Sequence, residues 1–517
     1  RRDMSLSTTI KSIQDIMRKD VGVDGDAQRI GQLVWLMFLK IWDDREKELE
    51  LIEDDFVSPL VKVRWQENGD TRTAADLRWR SWASDPEGIT GDKLLGFVDK
   101  ELFPALKGMD AGPSVEGDGE DARAAHKLWQ RRMLVKRVFE DAYQYQKSGT
   151  LLRRVINRLE ADIDFNDSRN RHLFGDIYET ILKGLQSAGN AGEYYTPRPV
   201  TQFAVDMVSP KLGETVLDPA CGTGGFLACC IESIRDSQVR NAEQEGVLQA
   251  SIRGIEKKPL PHLLCVTNMI VHGIDVPAGI RRDNTLARPL REYSSSDRVD
   301  VILTNPPFGG QEEKMIVSNF PLALQTTETS LLFLQVVVTL LKPGGRSAIV
   351  LPHGVLFLDG VGSRTREMLL RQCNLHTIVR LPEGVFAPYT DIPVNLLFFE
   401  KTGPTKEVWF FEMPPPPGAR KYTKTNALTG EDFSLVREWW GGEKRHNRKQ
   451  TDHAWKVSIG ALADDDFNLD ARNPNRPDDY TRRPPQQLWQ EIKKIEGDIN
   501  NQLSKLDVLL RQGEELT

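Results

Sequence analysis

The stretch Thr215-Val216-Leu217-Asp218-Pro219-Ala220-Cys221-Gly222-Thr223-Gly224-Gly225-Phe226 decides the fold. A short apolar strand ends on an acid, a glycine-rich turn follows, and Leu227 to Asp236 continues with helical periodicity. Glycines at such a strand-to-helix turn let backbone N–H groups approach a ligand at the helix N-terminus. Outward from this point, between Thr215 and Glu400, short apolar runs alternate with amphipathic helical segments, the pattern of a parallel sheet covered on both faces. The candidate strands are 214–218, 252–256, 280–284, 299–304, 346–351, 376–381 and 394–400, and seven strands suit one doubly wound, Rossmann-like α/β domain.

The turn departs from a nicotinamide site. That fingerprint, G-x-G-x-x-G, calls for an acid about 20 residues further on. Here the acid closing the next strand is Glu256, 38 residues after Asp218, and Asp218 itself would sit poorly beside a pyrophosphate. S-adenosylmethionine, which lacks phosphates, fits better. Asp218 can face its cationic end, Glu256 can accept both ribose hydroxyls, and Asp283, at the end of the third strand, can accept from the adenine amino group. Each acid alone reads first as a helix cap or a surface charge; three at the ends of successive strands shift the balance toward a ligand.

The second motif is Asn305-Pro306-Pro307-Phe308, at the end of the apolar strand Val299 to Thr304. The amino group of a nucleobase is a weak nucleophile because its lone pair is delocalised into the ring. The Asn305 oxygen and a carbonyl of the stiff Pro-Pro turn can take both of its N–H bonds and favour a tetrahedral nitrogen, while Phe308 can stack on an unstacked base. A proline-terminated strand with a packing Phe is the structural alternative. A side-chain amide of protein glutamine presents the same NH₂ group, so a protein N-methyltransferase stays open beside a base-directed enzyme, as does a scaffold that binds cofactor without catalysis.

Ahead of the sheet the chain reads as helices, with Ile10, Ile13, Ile16 and Met17 on one face behind Thr8 or Thr9, then Ile30, Leu33, Val34, Met37, Phe38, Ile41 and Trp42 on another. Trp65, Trp79 and Trp82 read as packing anchors or as a DNA-facing surface. The runs Arg131, Arg132, Lys136, Arg137 and Arg153, Arg154, Arg158 read as phosphate contacts or solvated helix faces. A further helix is expected over 167–186. After Lys401 a strand-like Val408 to Phe411 precedes Pro414 to Pro417. Near the end Leu488, Ile492, Ile495, Ile499, Leu503, Leu506 and Leu510 form an almost heptad seam, for the N-terminal helices or for a partner helix.

With 68 Lys and Arg against 75 Asp and Glu, the 517 residues carry a net charge of −7. No global basic field holds this chain on nucleic acid, so contact with DNA requires local patches or a partner. The five cysteines form no Cys-x-x-Cys pair, which excludes a disulfide framework and a structural metal and fits a reducing cytoplasm. The apolar run Leu33 to Ile41 is far short of the roughly 20 residues of a membrane span, and no apolar signal core follows Arg1-Arg2. No Walker A sequence is present.

These motifs together resemble the methylation (modification) subunit of type I restriction-modification systems, an N6-adenine DNA methyltransferase. The resemblance covers nearly the whole chain: Ile13 to Asp43, Glu193-Tyr194-Tyr195-Thr196-Pro197-Arg198, both motifs above, and Asn468-Leu469-Asp470. It implies that Glu193 to Arg198 closes over the methionine end of the cofactor, that Thr223, Gly224, Gly225, Glu256 and Asp283 contact it, and that Asn305, Pro306 and Phe308 hold the target adenine. Asn in the first position of the catalytic motif points to adenine N6. A class I methyltransferase sheet is then expected over 166–412, after an all-α domain over 1–165 and before a linker and accessory segment (413–483) and a C-terminal docking helix (484–517). Two such subunits would be held by one DNA-specificity subunit, and a restriction and translocase subunit would complete the complex.

Overall fold

The computed structural model describes residues 6–53, 56–114, 117, 119–163, 195–387 and 390–475, with positions 489, 493, 496, 497, 499, 500, 502 and 503 of the C-terminal stretch. The N-terminal region is helical: Leu6–Met17, Asp26–Ile52, Trp79–Trp82, Gly91–Phe97, Phe103–Gly108, Glu120–Glu140 and Gly149–Asp162. It is not purely α, however. Strands β1 (Val61–Glu67) and β2 (Asp70–Asp76) form an antiparallel hairpin. The hairpin turns through Asn68 and Gly69, both at positive φ, and Asn-Gly is a strong hairpin signal because its backbone matches the twist of the flanking strands. Trp65, Trp79 and Trp82 are buried, so they serve packing. Thr9 lies inside the first helix, where its hydroxyl donates to Asp162 Oδ2 at 3.0 Å.

Two of the arginines considered as phosphate contacts are struts of this region. Arg131 is 4% exposed, pairs with Glu53 at 3.5 Å and lies over the Phe56 ring. Arg153 is 5% exposed and donates to the carbonyls of Trp82, Ala83, Asp85 and Ile89. Arg137 and Arg154 are exposed.

The remaining strands are β3 (Val216–Asp218), β4 (Ile252–Glu256), β5 (Ile280–Arg282), β6 (Val299–Thr304), β7 (Leu341–Pro352), β8 (Asn374–Arg380), β9 (Val394–Glu400), β10 (Glu407–Glu412) and β11 (Ala454–Ser458). They form one nine-stranded sheet in the order β11-β10-β8-β9-β7-β6-β3-β4-β5. All seven expected strands are present. The sheet is mostly parallel, but β9 runs antiparallel to β7 and β8, and β11 to β10. β9 follows β8 after residues 381–393, with no crossover helix among the described residues there, and a direct return reverses the strand. Part of the segment expected as linker and accessory joins the sheet: Trp455 of β11 stacks on Phe410 at 5.3 Å, and Phe433 stacks on Phe203 at 4.4 Å.

From β3 the chain steps outward to β4 and β5, then returns to the other side of β3 as β6. This reversal opens a crevice at the carboxyl ends of β3 and β6, where open α/β sheets bind ligands. Alternate residues feed two cores: Val216, Val301, Leu303 and Val350 face one side, Leu217, Ile302, Ile349 and Leu351 the other. The first core is continuous with that of the N-terminal region. Arg45 reinforces the junction by pairing with Asp275.

No described helix is long and apolar enough to cross a membrane. Of the C-terminal seam, Ile499 and Leu503 are helical and exposed. Its other members, the helix expected over 167–186, and Glu193 and Tyr194 lie outside the described residues.

Replacing Arg153 with Met removes the donor from four carbonyls, two of them buried (Trp82 and Ala83), and is expected to cost about 2–4 kcal/mol of stability, whereas Arg154→Met should stay within about 0.5 kcal/mol. Denaturant unfolding of both variants checks this; equal stabilities would return Arg153 to the candidates for DNA contact.

Candidate active site

β3 ends at Asp218, and the chain turns through Gly222 (φ 51°) and Gly224 (φ 83°) into the helix Gly225–Gln238. A Cβ on Gly224 would stand 2.8 Å from Cys265 Sγ and 3.0 Å from Met269 Cε. Glycine is therefore required both by the left-handed backbone and by the close approach of the helix Pro259–Val271. Asn268 Nδ2 donates to the Thr223 carbonyl at 3.0 Å, and the Cys221 N–H donates to the Ile255 carbonyl at 3.0 Å, so the turn is pinned from both sides.

Asp218 is 2% exposed, and its Oδ1 accepts from Thr304 Oγ1 at 2.7 Å and from the Ala220 N–H at 3.0 Å. Burial pushes its carboxyl up to about 7. Its Oδ2 has no donor among the described residues, and a cationic ligand would supply the missing partner. Glu256, 8% exposed, accepts the Gly222 N–H at Oε2 (3.0 Å) and the Lys258 N–H at Oε1 (2.7 Å). Burial raises its carboxyl as well. Each of its oxygens can accept a second bond, which suits a vicinal diol. Asp283 follows β5, is exposed, and its N–H donates to the Glu256 carbonyl at 3.0 Å. Its Oδ1 accepts the Asn284 N–H. The three acids stand at or just beyond the carboxyl ends of three adjacent strands.

Across the crevice, Thr304 reaches Asp218 and the next residue, Asn305, donates from Nδ2 to Thr196 Oγ1 at 2.9 Å. Asn305 Oδ1 is buried without a hydrogen-bond partner among the described residues. Ser330 Oγ donates to the Pro307 carbonyl at 3.3 Å, while Pro306 is buried. Phe308 is half-buried, with its ring centroid 5.8 Å from that of Phe386 at 69°.

Thr196 stands just ahead of Pro197 and the helix Arg198–Val208, and Arg198 pairs with Glu232 on the helix Gly225–Gln238. Tyr195 and Phe308 both pack on the edge of the core. Phe386, in the return between β8 and β9, was absent from the expected site. Its one sequence signal is position, since residues 381–393 connect two strands at the same sheet edge as Asp218 and Asn305. Cys221 is buried, and the neighbouring Cys265, together with burial, holds its thiol well above the ordinary range. A thiolate nucleophile is thereby disfavoured.

A doubly wound sheet whose switch point sets an acid-flanked glycine turn against an Asn-Pro-Pro-Phe turn defines a class I, Rossmann-like amino-methyltransferase. A family model described as N-6 DNA Methylase matches residues 169–482, and one described as HsdM N-terminal domain matches residues 6–159. The type I restriction enzyme EcoEI methylase subunit of Escherichia coli is 51% identical over 504 residues, covering 97% of each chain. The crystal structure of a modification subunit ascribed to a type I restriction enzyme of Vibrio vulnificus YJ016 superimposes with a TM-score of 0.77 at 41% identity, covering 92% of this chain and 98% of that one. A chain from a structural study of type I restriction-modification complex assembly and conformational transition gives a TM-score of 0.73 at 34% identity, covering 99% of both. This chain belongs to the N-6 DNA methylase family, as a type I restriction enzyme methylase subunit that methylates adenine in DNA.

Gly224→Ala forces a Cβ into a left-handed turn and against Cys265, a cost of about 2–3 kcal/mol by strain and overlap. Adding Cys265→Ala should restore only the overlap part. Thermal unfolding of both variants and the parent checks this, and a Gly224→Ala chain as stable as the parent would contradict it.

Proposed function

We propose that this chain transfers a methyl group from S-adenosylmethionine directly to N6 of an adenine rotated out of duplex DNA. The observation that carries this reading is the buried Oδ1 of Asn305, without a partner among the described residues and set beside the acid-flanked glycine turn. The residues present fit the cofactor. Asp218 lacks a cationic partner among the described residues, and Glu256 has lone pairs open for a diol. Thr223, Gly224 and Gly225 would line its path, Asp283 would accept from its adenine amino group, and Glu193, Tyr194, Tyr195, Thr196, Pro197 and Arg198 would close over its methionine end. When bound, the cofactor supplies an electrophilic methyl group on a sulfonium whose departure leaves a neutral thioether.

The protein contributes positioning and electrostatics. Asn305 Oδ1 accepts one N–H of the target amine. A backbone carbonyl of the Pro306-Pro307 turn is the second acceptor. Both bonds draw the nitrogen lone pair out of conjugation, Phe308 stacks on the extruded ring with Phe386 behind it, and the surplus proton leaves to solvent after attack.

The proposal includes a division of the chain into an N-terminal domain (1–165), a methyltransferase domain (166–412), an accessory segment (413–483) and a docking helix (484–517). Two copies would sit on one DNA-specificity subunit, joined by a restriction and translocase subunit, in the cytoplasm. The net charge of −7 fits an enzyme whose sequence-reading surface belongs to another chain.

With labelled S-adenosylmethionine and a complex containing the specificity subunit, label should enter DNA, and Asn305→Ala should cut transfer by about 10²–10³-fold with cofactor affinity within about threefold. Label on protein instead of DNA, or unchanged turnover, would contradict the assignment. A second prediction follows from Asp218, whose carboxyl sits at about 7 without a cation. A cation binds the ionised form, so affinity is full above that pH and weakens toward tenfold per unit below it. Calorimetry across pH 5.5–8.5 should show this slope, and Asp218→Asn should flatten it.

A further inference from the structure

The chemistry depends on which way round the Asn305 amide stands. Its oxygen and its NH₂ are nearly the same size, and a half-turn about the last side-chain bond exchanges them. In one orientation it accepts an N–H from the target amine; in the other it opposes that N–H with its own. β6 sets the Asn305 backbone, and Thr304 anchors the strand end on Asp218, but neither fixes this rotation. The amide's own contact is with Thr196: Asn305 Nδ2 donates to its Oγ1 at 2.9 Å, an arrangement that leaves Oδ1 buried without a partner among the described residues. A buried carbonyl oxygen without a donor is unfavourable, and it marks the place where a donor arrives.

The mount of Thr196 is firm on its C-terminal side. Pro197 and Arg198 begin the helix Arg198–Val208, Thr201 Oγ1 donates to the Arg198 carbonyl at 2.9 Å, and Val200 and Phe203 are fully buried. Arg198 in turn pairs with Glu232 on the helix that starts at the glycine turn. The hydroxyl is thus held by the same body of structure that shapes the acid-flanked crevice.

We infer that Thr196 is a positioning residue for methyl transfer, its hydroxyl holding the Asn305 amide with the oxygen toward the target amine. This role rests on the assignment of Asn305 as the acceptor for that amine. It also gives the segment ahead of Arg198 a duty toward the base, beyond any contact with the cofactor. Asn305 would be aligned through a residue 109 positions away in sequence.

The test uses the chain assembled with its specificity subunit, labelled S-adenosylmethionine, and DNA carrying the recognition sequence. Thr196→Val keeps the shape and removes the hydroxyl; it should lower kcat at saturating cofactor by about 10- to 100-fold, and Thr196→Ser should recover it to within about threefold. In an Asn305→Asp background, whose carboxylate presents oxygen in either rotation, the same Thr196→Val change should alter the single-turnover rate by less than about threefold. A loss confined to the KM for S-adenosylmethionine, with kcat unchanged, would overturn the inference and leave Thr196 a cofactor contact alone. Equal losses in the parent and the Asn305→Asp backgrounds would overturn it too. Full turnover by Asn305→Ala would instead remove the assignment on which it rests.

Discussion

The hydrogen bond from Thr304 Oγ1 to Asp218 Oδ1, 2.7 Å long, joins the ends of β6 and β3 at the point where the sheet reverses its winding. The two residues are 86 positions apart, and only the β3–β6 pairing brings them level. Asp218 belongs to the glycine turn and Thr304 carries Asn305. In the proposed mechanism the bond therefore sets the distance between the place for a cationic ligand and the acceptor for an amine. A direct transfer between two bound molecules needs that distance held to a fraction of an ångström, because its rate falls steeply with misalignment.

The rest of the molecule holds this junction still. Alternating apolar residues bury both faces of the sheet, and the core on one face runs on into the N-terminal helices. Arg45 with Asp275, and Arg282 with Asp141, tie that region to the sheet. Carboxylates left in this crevice are costly unless something offsets them, and burial raises both Asp218 and Glu256 above their ordinary range. In the proposed function a bound ligand compensates the two acids at this sheet edge.

Much of this was legible in the sequence, for identifiable reasons. The seven central strands are apolar runs closed by Gly, Pro or an acid, and the sheet topology then leaves little choice about where Asp218, Glu256 and Asn305 stand. The hairpin β1–β2 escaped because its signal is one dipeptide, Asn68-Gly69, inside a tryptophan-rich run that read as loops on a helical bundle. β11 escaped because its five residues become a strand only by pairing with β10. The arginines misled in a different way. Composition counts Arg131 and Arg153 as charges facing water, whereas each is buried against partners far away in sequence. The bond from Asn305 to Thr196 had no local signal at all, since its ends meet only in the folded chain.

Seen from the junction, the net charge of −7 has a physical meaning. A chain that supplies the transfer site but borrows its sequence-reading surface has no need of a basic exterior. On this account the site methylates adenine in DNA when another subunit presents it. Base-resolved mapping of methylated bases in cells expressing this chain together with its specificity subunit tests that most directly. N6-methyladenine confined to one sequence context, present with both subunits and absent with either alone, is the predicted result. Methylation of cytosine, or no methylated base with both subunits present, would contradict it.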